Sequence, residues 1–448
     1  MDYSGAVDYV NSFINFEKIP KYGYASSFKL GRMEAILKEL GDPHKDLNII
    51  HVAGSKGKGS TCAVAAYILK KAGYKAGLYT SPHLVEFRER IRILVGRGGA
   101  DKFEGMISEE GFRSLVEEIK PVAEKFRDHK TLGKVSFFEI VTACAFLHFK
   151  KNKVDAAVLE TGLGGRLDAT NVVVPLAAGI TNISLEHTDK LGSRLEDIAA
   201  EKAGIIKRQG KVAAAVQGKA AAGVIRKICA ERNAELYEIG KDIKYSIVDS
   251  DEKSQVFDLK GPGYYYRNLE TRLLGRHQAE NASLGIAMLK LLDPARFNID
   301  ENAIRKGLKS VTWPGRLQIA RKAPYIVLDG AHNPASALAL AGSIKKTFDY
   351  GKLICVFGMS SDKDIKGTSA VLEKISDIMI LTKAKDNLRA AGSAKLRRNF
   401  KKPGLGIEEA KDVDEAMRKA LKFADKKDLI LVTGSLFIVG DAIRYLKR

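Results

Sequence analysis

The chain has 448 residues, of which 45% are hydrophobic and 29% are charged. These proportions exclude a disordered protein, a collagen-like fibre and a small disulfide-bonded scaffold, and the length predicts two or three domains. Lysine and arginine number 74 against 54 aspartates and glutamates, which gives a formal net charge of +20. This excess favours anionic partners, but the basic residues are scattered among acidic ones, so we expect a solvated basic surface without a nucleic-acid partner.

Apolar runs and cysteines predict where the protein resides. No apolar run approaches the roughly 20 residues that span a bilayer. The N-terminal sequence MDYSGAVDYVNSF lacks the basic region of a secretory signal. The four cysteines lie far apart in apolar surroundings: Cys62, Cys144, Cys229 and Cys355. We therefore expect buried, reduced thiols and a cytoplasmic protein without a membrane partner.

Short apolar runs alternate with amphipathic helices along the first part of the chain. The predicted strands are 47–53, 75–80, 154–160, 176–183 and 211–216. The predicted helices are 58–72, 138–150, 281–292 and 300–311. Because strands alternate with helices, we expect a mostly parallel α/β sheet of the doubly wound class.

A second alternation begins after Pro324. Its predicted strands are 325–328, 353–357, 377–381 and 429–432, and its predicted helices are 335–347, 365–375, 413–423 and a last one from residue 435. The segment Trp313-Pro314-Gly315-Arg316 breaks the helix before it. We therefore predict a larger domain at 1–312, a linker at 313–323 and a smaller Rossmann-like α/β domain at 324–448, with a ligand in the crevice between the domains.

A glycine-rich turn connects the first predicted strand to the first predicted helix. It reads Gly54-Ser55-Lys56-Gly57-Lys58-Gly59-Ser60-Thr61. Glycines allow backbone N–H groups to turn inward, the helix N-terminus adds positive potential, and a lysine can reach phosphate oxygens. The spacing is not that of a standard Walker loop, since Gly59 stands where a hydroxyl residue should follow the lysine. We still predict that this turn binds phosphate.

Polar residues also follow the next three predicted strands. Ser81 could ligate a nucleotide-bound Mg²⁺, and Glu160 is placed like a Walker B carboxylate. Further along, Glu186-His187 and Lys202 carry groups that bind metals or phosphates. Taken singly, the Ser81 turn, a structural histidine and a solvated helix lysine are ordinary features, so none of these residues assigns a function alone.

Three further segments contain Arg, His, Asp and Asn side chains suited to phosphate, ribose and base contacts. They are Gly275-Arg276-His277-Gln278-Ala279-Glu280-Asn281-Ala282, Trp313-Pro314-Gly315-Arg316-Leu317 and Asp329-Gly330-Ala331-His332-Asn333-Pro334. Composition alone cannot assign their roles.

As a set, these segments resemble one family, folylpolyglutamate synthase/dihydrofolate synthase of the ATP-dependent Mur ligase superfamily. The resemblance is carried by HVAGSKGKGSTCA, GLYTSPHLVEFRERIRI, ETGLGGRLDATN, EKAGIIK, WPGRL and DGAHNP, in the order and spacing of the family. It extends from about residue 28 to the C-terminus, and residues 240–273 and 383–412 match poorly.

The resemblance implies a fold and a reaction. The expected fold is an N-terminal nucleotide-binding α/β domain of the Mur ligase central type with a P-loop, joined to a smaller C-terminal α/β domain. The expected reaction is an ATP-dependent ligation, in which a carboxylate is phosphorylated and the amine of L-glutamate attacks the acyl phosphate. The implied cofactors are ATP and Mg²⁺ at two sites, and the implied partners are folate or dihydropteroate and L-glutamate. The family is usually monomeric, and we expect a monomer.

The resemblance also implies roles for individual residues. The nucleotide-binding positions are Ser55, Lys56, Gly57, Lys58, Gly59, Ser60, Asn281, Arg316 and Asp329. The Mg²⁺ ligands are Ser81, Glu160, His187 and Lys202, and Lys202 matches a lysine that the family carries as a carbamate. The catalytic positions are Lys58, Lys202 and His332. The pterin-side positions are Phe28, Lys29, Leu30, Ser136, Phe137, Phe138, Glu139, Leu167, Asp168 and Ala169.

Three residues depart from the family pattern. Lys56 stands where the family usually has Asn, Glu186 where it has Asp, and Lys29 where it has Gly. They leave open a Mur-type ligase that acts on another carboxylate. A nucleic-acid-dependent P-loop ATPase is a second alternative, and a non-catalytic nucleotide-binding module is a third. The sequence does not decide whether the chain makes dihydrofolate, extends folate polyglutamates, or does both.

Overall fold

The computed structural model describes residues 1–19, 22–96, 103–385, 387 and 389–448. Its largest sheet has seven strands: β1 Ile49–Ala53, β2 Ala76–Tyr79, β3 Ile91–Leu94, β4 Ala156–Glu160, β5 Ala177–Ile180, β6 Lys211–Ala214 and β7 Glu235–Glu238. The strand order is β3-β2-β4-β1-β5-β6-β7, and every pairing is parallel except that of β3 with β2. The parallel α/β architecture expected from the sequence is therefore confirmed.

Helices cover both faces of this sheet, which is why β1 is buried at every position. The helices of this part of the chain are α1 Tyr3–Asn11, α2 Tyr24–Ser27, α3 Leu30–Glu39, α4 Lys58–Lys71, α5 Glu109–Phe126, α6 Phe137–Lys151, α7 Thr188–Leu191, α8 Leu195–Ala203, α9 Lys219–Glu231, α10 Arg276–Lys290 and α11 Glu301–Ser310. Two short 3₁₀ helices lie at Phe87–Arg90 and Ala169–Val172. The first helix after the phosphate-binding turn, α4, packs between the sheet and helices α10 and α11.

A separate antiparallel sheet of three strands lies in the segment for which the sequence predicted no element. Its strands are β8 Lys244–Ser250, β9 Gln255–Gly261 and β10 Tyr264–Thr271, in the order β10-β9-β8. Along β9 the buried positions alternate with less buried ones, as expected for a sheet with one solvated face. Phe257 and Leu259 pack into the core around α4 and α10.

The C-terminal sheet has six strands: β11 Gln318–Lys322, β12 Tyr325–Leu328, β13 Leu353–Phe357, β14 Ile378–Leu381, β15 Gly406–Glu409 and β16 Leu429–Thr433. Their order is β11-β12-β16-β13-β14-β15, with parallel pairing throughout except between β11 and β12. Its helices are α12 Pro334–Thr347, α13 Ile365–Leu372, α14 Ser393–Arg397, α15 Val413–Phe423 and α16 Leu436–Leu446. A second α/β unit is thus present, as the sequence predicted.

The segment predicted as a linker, 313–323, contains regular structure. Strand β11 lies within it and pairs antiparallel with β12, so these residues extend the C-terminal sheet. The sequence pattern did not reveal this strand because its residues are Gln, Ile, Ala, Arg and Lys, which are typical of a half-exposed edge strand and not of a buried one. Residues 318–322 of the predicted linker therefore form an edge strand of the C-terminal sheet.

Helix α10 also differs from its predicted position. It begins at Arg276, directly after Gly275, and not at Asn281. The apolar pattern starts late because the first turn carries the polar residues Arg276, His277 and Gln278. Because the helix begins earlier than predicted, these polar side chains lie at a helix N-terminus and not in a loop.

The cysteine prediction is confirmed, because all four thiols are free and buried. Burial raises the pKa of the Cys229 thiol to about 11, so this group stays protonated at neutral pH. Within the described part of the chain, no helix combines the length and the apolar character needed to cross a membrane.

Candidate active site

A cavity of about 580 Å³ lies between the seven-stranded sheet and the C-terminal sheet. The phosphate-binding turn and the residues that follow β2, β4 and β5 form one wall. The first turn of α10, the residues after β12 and the first turns of α12 form the other. Parallel α/β sheets bind their ligands at the carboxyl ends of the strands, and both sheets present those ends here.

The phosphate-binding turn is held in a fixed shape by its neighbours. The Ser55 N–H donates to the Asn182 carbonyl at 2.8 Å, and the Ser184 N–H donates to Ser55 Oγ at 3.0 Å. Gly57 has φ 92°, in the left-handed region that favours glycine. Lys58 Nζ donates to the Gly54 carbonyl at 3.1 Å and remains in the cavity wall. The turn can therefore offer backbone N–H groups and lysine cations to a phosphate chain.

Gly57→Ala tests this geometry. A Cβ at this position would lie 2.2 Å from Asn281 Oδ1, and the left-handed backbone would be strained. We expect the variant to fold and its KM for ATP to rise roughly 10-fold or more, since such strain costs about 1–3 kcal/mol. Gly73→Ala is the matched control, because Gly73 also has positive φ but no neighbour within 4 Å of its Cβ position. Equal kinetics for the two variants would contradict a role for this turn.

Glu160 and Ser81 meet on the β2–β4 side of the turn. Glu160 ends β4 and is buried, and its Oε2 accepts the Ser81 N–H at 3.2 Å. Lys58 Nζ lies 4.0 Å from Glu160 Oε1. Burial raises the pKa of Glu160, while the positive charge of Lys58 opposes that rise. A buried carboxylate beside a lysine of the glycine-rich turn is suited to hold a divalent cation on a phosphate chain.

A network of charged groups occupies the β5 side of the turn. Lys202, on α8, is buried and donates to the Gly54 carbonyl at 2.9 Å and to Glu186 Oε1 at 3.0 Å. Lys56 Nζ lies 3.3 Å from Glu186 Oε2. Burial would raise the pKa of Glu186, but the charges of Lys202 and Lys56 outweigh it and hold the pKa well below its usual range. One ionised carboxylate therefore holds two lysines.

Two of the four predicted Mg²⁺ ligands, Glu160 and Ser81, are in direct contact. Within the described ranges of the chain, no group of three or more His, Cys, Asp or Glu side chains is close enough to hold a metal ion. Glu160 and Ser81 still fit one Mg²⁺, because this ion commonly takes one or two protein ligands and completes its shell with water and phosphate oxygens. Burial lowers the pKa of His187 to about 3, so its imidazole is neutral and able to bind a metal.

The surroundings of Lys202 suit an ammonium group, because both of its neighbours are hydrogen-bond acceptors. A carbamate would place a further negative charge against Glu186. The nearby positive groups that could compensate it are Lys56 and Lys58. A carbamate is therefore compatible with the site only if these lysines or a metal cation neutralise it.

The C-terminal domain contributes Arg316, Asp329 and His332 to the cavity wall. The Asp329 carboxylate accepts the Leu317 and Ala331 N–H groups, each at 2.8 Å. Asp329 therefore ties the segment after α11 to the loop after β12, which places Arg316 and His332 in the same wall. The structure brings these predicted residues together with the phosphate-binding turn.

The pterin-side residues predicted from the family resemblance do not line this cavity in the described part of the chain. Phe137, the first residue of α6, is buried in the core. Ser136 and Glu139 cap that helix reciprocally, and Glu139 Oε1 accepts from Arg32 Nε at 2.8 Å. Asp168 accepts the N–H groups of Gly162 and Leu163, and these two residues do line the cavity.

Two of the remaining pterin-side residues, Phe28 and Phe138, pack against other parts of the chain. Phe28 stacks at an angle against Phe16, Tyr22 and Tyr24. The Phe138 ring would be 2.6 Å from a Cβ on Gly162, so it packs directly against the cavity-lining loop. The other members of the predicted set are Lys29, Leu30, Leu167 and Ala169. Their roles remain predictions.

Glu139 is expected to serve the fold. Arg32 and Glu139 are both buried, so Glu139→Ala leaves a buried guanidinium without its counter-ion, and only its bonds to the Leu132 and Ser27 carbonyls remain. We expect the free energy of unfolding to fall by about 3–5 kcal/mol, and KM for the folate acceptor in the remaining folded protein to be nearly unchanged. Denaturant unfolding and steady-state kinetics measure the two effects. Glu124→Ala, in an exposed ion pair with Arg127, is the control. A large KM change with unchanged stability would indicate a substrate-binding role.

Sequence reasoning did not single out two cationic cavity residues of the C-terminal domain. Lys363 follows β13 and Arg389 follows β14, and both line the cavity. One carboxylate oxygen of Asp362, Oδ2, lies 3.6 Å from Lys363 Nζ and 3.6 Å from Arg389 Nη1. The signal that could have revealed them is their position after consecutive parallel strands, the same rule that identified Ser81 and Glu160.

Comparison with known proteins identifies the family. The chain matches the Mur ligase middle domain at residues 114–289 and the Mur ligase glutamate ligase domain at residues 315–436. It is 36% identical over 424 residues to dihydrofolate synthase/folylpolyglutamate synthase of Bacillus subtilis, covering 93% of this chain and 95% of that protein. The protein of the same name from Escherichia coli is 34% identical, with 93% and 91% covered.

Solved structures agree with this assignment. Mycobacterium tuberculosis folylpolyglutamate synthase complexed with ADP superposes with a TM-score of 0.88 at 30% identity, covering 100% of this chain and 98% of that one. E. coli FolC in complex with DHPP and ADP gives a TM-score of 0.84 at 30% identity, with 100% and 98% covered. The site geometry, the two matched domains and these near full-length relatives show that the chain belongs to the folylpolyglutamate synthase/dihydrofolate synthase family of Mur ligases.

Proposed function

We propose that this chain is an ATP-dependent ligase that joins L-glutamate to a folate, to dihydropteroate, or to both. The observation that carries the proposal is the shared cavity. A phosphate-binding turn and a buried carboxylate form one wall, and His332, Lys363 and Arg389 face them from the C-terminal sheet. Such an arrangement suits a reaction between a nucleotide and two anionic substrates.

The reaction proceeds in two steps. A carboxylate oxygen of the folate or pteroate substrate attacks the γ-phosphorus of ATP, and the bond from that phosphorus to the β,γ-bridging oxygen breaks, which yields an acyl phosphate and ADP. The glutamate amine then attacks the acyl carbon, the carbon–oxygen bond to phosphate breaks, and the amine loses a proton. The products are an amide, ADP and phosphate. Enclosure between two domains keeps water from the acyl phosphate.

The residues of the turn and its neighbours neutralise the charge that the first step brings together. Lys56 and Lys58 present ammonium groups, and the N-terminus of α4 presents backbone N–H groups. Glu160 and Ser81 would hold a Mg²⁺ ion, and His187 and Lys202 would belong to a second site if Lys202 carries a carbamate. Bound Mg²⁺ would add Lewis-acid stabilisation of the phosphoryl oxygens.

Lys363 and Arg389 are positioned to bind the carboxylates of the incoming glutamate. Both cations lie in the C-terminal wall, and their side chains are less than one-quarter exposed, at 24% and 21%. Charge-assisted bonds to a carboxylate are strongest in such partly enclosed surroundings. Assigning these two residues to glutamate leaves the phosphate-binding turn free for the nucleotide.

Three properties remain proposals. We place the domain boundary between α11 and β11, where the chain passes from one sheet to the other. We propose a cytoplasmic location from the four free cysteines, since reducing compartments keep thiols unpaired. We also propose a monomer that uses only small-molecule partners and no nucleic acid.

Phosphate release with Mg·ATP and L-glutamate tests the proposed function. The assay is run separately with dihydropteroate, with tetrahydrofolate and without an acceptor, and the products are identified by mass spectrometry. Release with both acceptors indicates a bifunctional enzyme, and release with one assigns the narrower activity. ATP binding without release for either acceptor would favour a Mur-type ligase of another carboxylate. Release that depends on added nucleic acid would overturn the proposal.

A further inference from the structure

His332 forms two hydrogen bonds that define its state. Nδ1 lies 2.9 Å from the Gly330 carbonyl, and Nε2 lies 2.7 Å from Lys56 Nζ. Because a carbonyl only accepts, Nδ1 carries the proton, and because an ammonium only donates, Nε2 is the bare acceptor. The imidazole is therefore neutral, with the lone pair of Nε2 facing the phosphate-binding turn.

Lys56 is itself held from three directions. Its backbone belongs to the turn, which forms an isolated antiparallel bridge to Asn182 at the end of β5. Its ammonium is 3.3 Å from Glu186 Oε2, and the other oxygen of that carboxylate pairs with Lys202. A lysine at a cavity wall usually samples several rotamers, but here a carboxylate and an imidazole select one.

The bond between Lys56 and His332 crosses the cavity. Lys56 follows β1 of the seven-stranded sheet, whereas His332 follows β12 of the C-terminal sheet. An ammonium has three N–H donors, and the contacts to Glu186 and His332 use two of them. The third donor is available to an anion in the cavity. Lys56 can thus hold His332 and a phosphate oxygen at the same time.

We propose that Lys56 is a positioning residue for His332, which it holds by a charge-assisted hydrogen bond from the phosphate-binding turn to the C-terminal domain. This contact keeps Nε2 an acceptor at the face of the nucleotide site and sets the distance between the two walls during phosphoryl transfer. The positive charge of Lys56 also lowers the pKa of His332, in support of a neutral imidazole. The catalytic consequence rests on the proposed function, but the contact itself does not.

The test compares Lys56→Gln with Lys56→Arg, which keeps the charge and the donors. We expect Lys56→Gln to lower kcat about 10- to 100-fold with little change in KM for the folate acceptor, and Lys56→Arg to recover most of the loss. Lys45→Gln, in an exposed pair with Asp42, is the matched control and should behave as the wild type. Equal kcat in Lys56→Gln and wild type would overturn the proposal.

A double-variant cycle separates positioning from a general structural effect. If Lys56 acts through His332, adding Lys56→Gln to His332→Gln should lower kcat much less than it does in the wild type. Independent, multiplicative losses would overturn the proposal. This comparison discriminates the two cases even if both single variants are slow.

A spectroscopic readout does not depend on turnover. The chain has 8 histidines, and ¹⁵N labelling of their rings with His332→Gln as the assignment variant identifies the two nitrogen signals of His332. In the wild type we expect one protonated nitrogen and one unprotonated nitrogen that accepts a hydrogen bond. The Nε2 signal should shift in Lys56→Gln and keep its wild-type position in Lys56→Arg. An unshifted Nε2 signal in Lys56→Gln would refute the contact. A wild-type chain that shows the contact but no ligation would refute only the proposed function.

Discussion

Glu160→Gln is expected to reduce kcat by about 100- to 1000-fold while the protein remains folded. The substitution keeps the size of the side chain and removes its negative charge. Glu160 is the buried acid nearest to Lys58 in this wall, at 4.0 Å, and Ser81 bonds to it. Without the charge, the site loses the strongest oxygen ligand available to a nucleotide-bound Mg²⁺, and phosphoryl transfer slows.

Two measurements make this result specific. Circular dichroism and thermal unfolding should match the wild type, since an amide can still accept from the Ser81 N–H. The Mg²⁺ concentration for half-maximal activity should rise, which a folding defect would not cause. Glu39→Gln, in an exposed pair with Lys125, is the matched control and should keep full activity. Near-normal turnover of Glu160→Gln would show that Glu160 has no role in the reaction.

Lys202→Met is expected to lose activity and stability together. Lys202 is only 2% exposed, and its loss leaves the Glu186 carboxylate with Lys56 as its remaining ion-pair partner among the described residues. Removing one partner of a buried ion pair costs about 3–5 kcal/mol, so the free energy of unfolding measured with denaturant should decrease by about that amount. Because Glu186 also positions Lys56, we expect kcat to fall by about 100-fold or more.

The pH dependence of stability checks the cause of this loss. The pKa of Glu186 is held below its usual range in the folded chain, because Lys202 and Lys56 together outweigh the effect of burial. A depressed carboxylate pKa adds stability above the unfolded-state value near 4.3, and this stability disappears as the pH falls through the folded-state value. The wild type should therefore lose more stability than Lys202→Met as the pH falls from about 5 to about 2.

Controls distinguish the ammonium from a carbamate at Lys202. Lys45→Met, an exposed lysine, should leave stability and activity unchanged. In Lys202→Ala, partial recovery of activity by short carboxylates would support a carbamate, because an added anion would then replace the lost one. Stability that is unchanged in Lys202→Met would contradict the buried pair, and an unmodified Lys202 in the active enzyme would exclude the carbamate.

The sequence determined the fold class and most of its elements. Leu353–Phe357 is fully apolar and Ile49–Ala53 contains His51 as its one polar residue, and such runs fit a sheet covered on both faces, so their positions follow from composition and period. The glycine-rich turn between β1 and α4 was also predictable as a turn, because its glycines precede a helix start and Gly57 has the positive φ that favours glycine. The strand at Gln318–Lys322 was not, since an edge strand needs few apolar residues.

The tertiary structure alone decided which charged residues act together. Lys56 and His332 are separated by 276 positions in the chain, and no local pattern links them. Their contact depends on how two sheets face each other, as does the placement of Lys363 and Arg389 in the same cavity. Glu139 shows the same dependence, because its buried ion pair joins it to Arg32, 107 positions away in the chain. Periodicity and turn chemistry are local properties of a sequence, whereas electrostatic pairing depends on distances that only the packed chain sets.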